Sequence, residues 1–135
     1  MGLLKSRNTT HLGPYRSAPS QTVNNTGVSG AAVTLTLAAA AAGLGHYTTG
    51  LHLERHAAAA LTAGATPTVI TTTNLPGALA FSIPVDAGAA RGIYEKIFEP
   101  ARALMTSAQN TATTIVAGAV TSVIWRLTAT YYFAP

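Results

Sequence analysis

The amino-acid sequence predicts an all-β fold, an antiparallel sandwich or barrel of seven or eight strands. The main support is an alternation of apolar and polar residues, which is clearest over residues 121–133. There Val123, Trp125 and Leu127 fall on one side of an extended strand and Arg126 on the other, because successive side chains alternate faces. Turn residues that recur at spacings of about 8–12 residues, and the lack of a convincing helical pattern, agree with this fold class.

Shorter strand segments precede this one. Val33, Leu35 and Leu37 share one parity, and the following Ala38–Ala42 runs into glycines, which favours a loop or bulge. Residues 93–105 hold much of the charge and Pro100, which favours a short strand or an irregular crossover. Further strands are predicted over residues 46–54, 68–73, 79–85 and 111–116, the last of which is expected to form a closing hairpin with residues 121–133.

Residues 1–30 are predicted to be an extended N-terminal arm, and residues 31–135 the folded domain. The arm is rich in Gly, Pro, Ser, Asn and Thr, so it buries little surface by itself, and we expect a neighbouring subunit to order it. The basic residues of the arm lie within its first 16 residues, and Tyr15 directly precedes the last of them. The candidate partner-binding residues of the arm are Lys5, Arg7, Tyr15 and Arg16.

The chain is poor in charge. Charged residues make up 9% of it, against a usual value of ~25%, and a soluble monomer normally presents more surface charge. This composition fits either a surface that partners cover or a chain that contacts lipid. The net charge of +4 reflects scarce acidic residues, so we predict no nucleic-acid partner. The apolar run Ala31–Gly45 is broken by threonines and is shorter than the ~20 residues of a spanning helix, so we also predict no membrane span.

The predicted strand over residues 46–54 carries the most distinctive polar pattern. His52, Glu54 and His56 are two residues apart and therefore share one face of a strand, as does His46 if the strand is unbroken. Two histidines and a carboxylate are possible zinc ligands, but residues i and i+2 lie ~7 Å apart, so three of them reach one ion poorly. We predict a polar interface face, with no metal and no cofactor. The expected alternation sets Tyr47, Thr49, Leu51 and Leu53 against His46, Thr48, His52 and Glu54.

Sequence motifs of common catalytic sites are missing. There is no GxSxG, P-loop or GxGxxG motif, and the absence of cysteine excludes thiol catalysis. Two of the four acidic residues, Glu95 and Glu99, lie near Lys96 and Arg102, where local ion pairing is the simpler role. We therefore predict that the chain is not an enzyme.

Aromatic residues of the last strand divide by parity. Trp125 and Tyr131 are predicted to lie in the core, whereas Tyr132 shares the parity of Arg126 and is predicted to be an exposed contact between subunits. The full set of subunit-interface candidates is His52, Glu54, His56, Arg126 and Tyr132.

Three groups of residues stand in an order typical of a known family: Tyr47, Thr49, Gly50 and Leu51; then Pro100, Arg102, Asn110 and Thr111; then Tyr131, Tyr132 and Ala134. In this layout, residues 31–135 resemble the small jelly-roll virion proteins of tailed bacteriophages, of the capsid decoration or cement type. The resemblance implies an antiparallel jelly-roll-like β-sandwich of about eight strands with an extended N-terminal arm. It also implies a homotrimer, made in the host cytoplasm, that binds the major capsid protein at the capsid surface and reinforces contacts between capsomers.

Two other readings remain open at the sequence level. A lectin-like or host-attachment module would use a concave groove lined by exposed Tyr47, Tyr94 or Tyr132. A head fibre, a tail protein or a minor capsid protein would be another virion component built on a similar fold.

Overall fold

A computed structural model describes residues 20–59, 68–75, 80–83, 91–98 and 102–135 of the chain. Within these ranges the protein is built from β-strands, and no helix there is long and apolar enough to cross a membrane. The strands are β1 (Gln21–Thr26), β2 (Val33–Leu37), β3 (Gly45–Ala57), β4 (Thr68–Thr73), β5 (Ala80–Ile83), β6 (Arg91–Ile97), β7 (Leu104–Met105), β8 (Thr113–Ala117) and β9 (Val123–Ala134).

These strands form two antiparallel sheets. The first has the order β1-β9-β3-β6, with β7 also paired to β3, and the second has the order β2-β8-β4-β5. The pairs are nested, because β1 pairs with β9, β2 with β8, β3 with β6 and β4 with β5. A long hairpin rolled into two layers gives this nesting, which is the jelly-roll topology. The predicted all-β sandwich is therefore confirmed.

The core lies between the two inner faces. In β2 the exposure alternates residue by residue, with Val33, Leu35 and Leu37 buried and the threonines between them exposed. Trp125 of β9 is 1% exposed and is the largest of the fully buried side chains, so its prediction as a core residue is confirmed. The buried cluster consists of Val33, Leu35, Leu37, Leu51, Leu53, Ile70, Ile115, Ala117, Val123, Trp125, Leu127, Ala129 and Tyr131.

An irregularity in β3 overturns the expected unbroken alternation. The register against β9 shifts between Thr48 and Gly50, and an extra residue of this kind exchanges the two faces of a strand. His46 and Thr48 are consequently buried before the shift, and Leu51 is buried after it. His46 was expected to share a face with the later histidines only if the strand is unbroken, and the register shift shows that this condition is not met.

The expected hairpin of residues 111–116 with residues 121–133 is also wrong. β8 pairs with β2 and β4, whereas β9 pairs with β1 and β3 in the other sheet. The short connection between them crosses from one sheet to the other, with a tight turn in which the amide of Val123 donates to the carbonyl of Val120. Both strands thus bury an apolar face in one core without pairing with each other.

The boundary drawn between the arm and the domain also changes. β1 lies inside residues 1–30, yet it pairs with β9 from Gln21 to Thr26, so this part of the predicted arm is a strand of the sandwich. The candidate arm residues Lys5, Arg7, Tyr15 and Arg16 lie outside the described residues. Two other predictions agree with the structure. Residues 38–42 form a loop, and the strand over residues 68–73 has the predicted limits.

Candidate functional site

The side of the β1-β9-β3-β6 sheet that faces away from the core carries the polar side chains that the sequence singled out. We call this surface the outer face. In the register of β3, Glu54 stands opposite Arg126 of β9 on one side and opposite Ile93 of β6 on the other. The outer face is formed by His52, Glu54 and His56 of β3, Arg91, Ile93, Glu95 and Ile97 of β6, and Ile124, Arg126, Thr128 and Thr130 of β9.

Glu54 lies at the centre of a small hydrogen-bonded cluster on this face. Its Oε1 accepts a hydrogen bond from Nε2 of His52 at 2.9 Å, and its Oε2 accepts one from Nε2 of His56 at 3.2 Å. The alternation of β3 places all three side chains on one side of the strand, as the sequence predicted. One carboxylate therefore holds two imidazoles in a row along the strand.

The cluster determines the charge of its central group. The hydrogen bond from His56, followed by that from His52, lowers the pKa of the Glu54 carboxyl from its ordinary value, and the nearby charges of His52 and Arg126 act in the same direction. Hydrogen bonds to a carboxylate favour its ionised form. Glu54 thus remains an anion and an acceptor for both rings over the whole neutral pH range.

A second carboxylate extends the cluster onto the edge strand. Nδ1 of His52 lies 3.7 Å from Oε1 of Glu95, which stands opposite it on β6. The Glu95 side chain is 58% exposed, so its carboxylate is largely open to solvent and to a partner. No three or more His, Asp, Glu or Cys side chains in the described ranges are arranged to hold a metal ion. The Glu54 cluster is therefore a hydrogen-bonded row along β3, with Glu95 of β6 at ion-pair distance from one of its rings.

β6 borders the outer face and differs from the other strands in its exposure. Ile93 and Ile97 are 73% and 75% exposed, although both are large apolar side chains. Within the described residues β6 pairs with β3 alone, so its other edge has unpaired backbone groups. Exposed apolar side chains on an unpaired edge are typical of an association surface. Sequence analysis missed these two residues, although the alternation of residues 91–97 signals them.

One interface candidate does not belong to the exposed surface. Tyr132 is 5% exposed, and its ring stacks on that of Tyr47 with a centroid distance of 5.1 Å and an interplanar angle of 12°. The irregularity in β3 causes this, because it turns Tyr47 to the same side as Tyr132, its partner in the register. The prediction of Tyr132 as an exposed contact is wrong, whereas His52, Glu54, His56 and Arg126 do share the outer face.

The three tyrosines considered for a sugar-binding groove are divided between the two sides of the sheet. Tyr94 stands opposite Leu53 on the inner side and packs against the core. Tyr47 is engaged in its stack with Tyr132, and its hydroxyl donates to the carbonyl oxygen of Pro135 at 2.8 Å. The structure thus does not bring all three rings to one surface, and the lectin-like reading stays a prediction.

His46 is a buried polar residue with a structural role. It has no exposed surface, its Nε2 lies 2.7 Å from the carbonyl oxygen of Ala38, and its Nδ1 lies 3.2 Å from the hydroxyl of Thr113. A ring that donates to the carbonyl through Nε2 accepts from the hydroxyl through Nδ1, so both nitrogens are satisfied. These bonds connect β3 to the loop after β2 and to β8 in the opposite sheet. No sequence pattern indicates this role, because the irregularity in β3 sets the direction of the ring.

Comparison with known proteins gives structural neighbours only. No protein-family model and no curated protein matches the chain. It is similar to a chain of the virus-like particle of extra small virus of the giant freshwater prawn Macrobrachium rosenbergii, with 15% identity, a TM-score of 0.36, and coverage of 86% of this chain and 79% of that one. It is also similar to a chain of the capsid asymmetric unit of the cyanophage Pam1, with 18% identity, a TM-score of 0.40 and 85% coverage of both chains.

Proposed function

We propose that the protein is a non-enzymatic structural protein of a virion, of the capsid decoration or cement type. Copies of the chain bind the major capsid protein at the capsid surface and reinforce the contacts between capsomers. Three copies around a common axis make up the unit that binds. The observation that carries this proposal is the exposure of Ile93 and Ile97 on the unpaired edge of a jelly-roll sandwich.

The packing of the sandwich supports a scaffold role. Its interior is filled by apolar side chains around Trp125, and the polar cluster lies outside, on a sheet face. Jelly rolls of this kind occur in viral capsids. The shape offers two broad faces and an edge for contact with neighbours.

The charge content supports a covered surface. Only 9% of the chain is charged, and interfaces between subunits are depleted of charge in their central parts. On the outer face, the carboxylate of Glu54 is held between His52 and His56. A surface of this composition is suited to repeated contacts with other protein subunits, each modest in area and strong when many occur together.

Electron cryomicroscopy of particles from cells that express the chain tests this proposal. The expected result is density for the sandwich at symmetric positions on the outside of a shell, in contact with the major capsid protein and grouped in threes. Density in the shell itself, in a fibre or in a tail would replace the decoration role by another virion role. Particles without the chain, while it is abundant in the same lysate, would overturn a virion role.

A further inference from the structure

We propose that the β6 edge is a self-complementary docking site for the β6 edge of a second copy, related to the first by a two-fold axis. The two strands pair antiparallel with Ile93 opposite Ile93 of the second copy. Arg91 then faces Glu95 of the second copy, and Glu95 faces its Arg91. This two-fold contact is separate from the three-fold grouping of the proposed function, so it goes beyond that function.

The backbone of β6 has the geometry for such a contact. The amide of Phe98 donates to the carbonyl of Thr49 on β3 at 2.7 Å. Because backbone groups of successive residues in a strand point to opposite sides, the amides and carbonyls of Arg91, Ile93 and Glu95 point away from β3. The two residues of a hydrogen-bonded antiparallel pair exchange both bonds. A pairing centred on Ile93 therefore satisfies the free edges of both copies.

The charges of β6 select this register over its neighbours. With Ile93 opposite itself, both reciprocal pairs on the outer face bring an arginine against a glutamate. A shift that sets Glu95 opposite itself, or Arg91 opposite itself, instead places like charges directly across, which is destabilising. In the register between these, each charged residue faces an isoleucine of the second copy, so neither the charges nor the apolar side chains find a matching partner. The two charged residues are thus arranged for one symmetric partner, which is a second copy of this chain.

Both charged groups are available for the contact. Glu95 is 58% exposed at its side chain and lies only at the margin of ion-pair distance from His52. Arg91 is exposed, and it has no ion pair within the described part of the chain. The central Ile93 is 73% exposed between them. Apolar burial at the centre with charge pairs on either side is the usual anatomy of a specific contact.

The opposite end of the sandwich offers no equivalent edge. There β1 and β2 are the border strands of their sheets, and the Asn25 side-chain amide donates to the Thr34 carbonyl across them at 2.7 Å. This hydrogen bond connects β1 to β2 across the two sheets. In addition, β1 carries mainly polar residues where β6 carries isoleucines. The β6 edge is the better site for strand pairing.

Engineered cysteines test the contact directly, because the natural chain has none. In the full-length chain, Ile93→Cys is expected to form a disulfide-linked dimer under mild oxidation. Opposed residues of a hydrogen-bonded pair have Cα atoms ~5.5 Å apart, within the range that a disulfide spans. Ile97→Cys is the matched control, since it is equally exposed but does not face itself in this register. Absence of the Ile93→Cys dimer, or equal dimer formation by both variants, overturns the proposal.

Charge reversal in the Ile93→Cys background provides a second test. Arg91→Glu or Glu95→Arg alone is expected to weaken dimer formation by up to about 25-fold, since each of two reciprocal pairs contributes up to ~5-fold. The double variant Arg91→Glu with Glu95→Arg restores opposite charges in the same register, so its dimer is expected to return. Failure of the double variant to recover overturns the assigned register. Both tests use purified protein, so their failure is separate from the absence of the chain from virions.

Discussion

β9 and β6 belong to the same sheet and are separated only by β3, yet they have different roles. β9 has neighbours on both sides and buries one face from Val123 to Tyr131, with Trp125 and Leu127 each 1% exposed. β6 has one neighbour in the described structure and exposes Ile93 and Ile97. Long-range pairing and apolar burial fix β9 in the fold. β6 contributes little to the core and retains its edge for a partner.

The largest expected effect lies on β9. Trp125→Ala should lower the free energy of unfolding by about 3–5 kcal/mol, because it removes the largest buried side chain and leaves a cavity. Chemical denaturation of the purified variant measures this loss. Trp125→Phe is the matched control: the buried indole Nε1 has no hydrogen-bond partner among the residues that the structure describes, so the smaller ring loses packing and no hydrogen bond there. A loss below about 1 kcal/mol for the alanine variant would contradict the central role of β9.

Removal of β1 tests how far β9 depends on its other neighbour. A chain that begins at residue 28 should lose about 3 kcal/mol, because it gives up the partly buried Val23 and the hydrogen bonds of the β1–β9 ladder. A chain that begins at residue 20 retains β1 and should unfold like the full chain. Thermal unfolding of both truncations measures the difference. Equal stability of the two would show that β1 is dispensable to the sheet.

His46 connects β3 to the opposite sheet, so its replacement should have an intermediate effect. His46→Leu should cost about 2 kcal/mol, since it leaves the Thr113 hydroxyl buried without its partner and removes the bond to the Ala38 carbonyl. Thr113→Val removes the other member of one bond, and a double-mutant cycle isolates that pair. Additive losses in the cycle would show that the two side chains are not coupled.

Substitution on β6 should separate stability from association. Ile93→Lys should change the free energy of unfolding by no more than about 0.5 kcal/mol, because the side chain is 73% exposed. The same variant should reduce self-association, which size-exclusion chromatography with light scattering detects. A large loss of stability would mean that Ile93 belongs to the core and that the contrast between β6 and β9 is wrong.

The smallest effect concerns the pH dependence of the Glu54 cluster. The pKa of Glu54 is lowered in the folded chain, so its stabilising contribution is present above its ordinary value of 4.5 and is lost as the pH falls through the folded pKa. Urea unfolding at about pH 5 and about pH 3 should therefore show a steeper loss for the natural chain than for Glu54→Gln. Identical pH dependence of the two proteins would contradict the hydrogen bonds to both histidines.

The regular strands were predictable because a continuous apolar face records them in the sequence. Val33, Leu35 and Leu37 alternate without interruption, and so do the inward residues of β9 as far as Tyr131. The irregularity near Thr49 was not predictable, since one extra residue changes parity without changing composition. The burial of His46 and of Tyr132 both follow from that single residue.

The candidate site was predictable in part for the same reason. His52, Glu54 and His56 lie after the irregularity, where the alternation is regular, so their shared face could be read from spacing. The pairing of β8 and β9 with different strands could not be predicted from spacing, because it depends on contacts between residues far apart in sequence. β6 combines charged and apolar residues. These side chains form an exposed surface because β6 lies at the border of its sheet, a position that the local sequence does not reveal.

Sedimentation equilibrium of the full-length protein tests the central claim, that this jelly roll is built to associate through its exposed surface. We predict an average mass that exceeds the 13.8 kDa of one chain and rises with concentration, together with a lower mass for Glu95→Arg under the same conditions. A mass of 13.8 kDa at every concentration tested would contradict the claim.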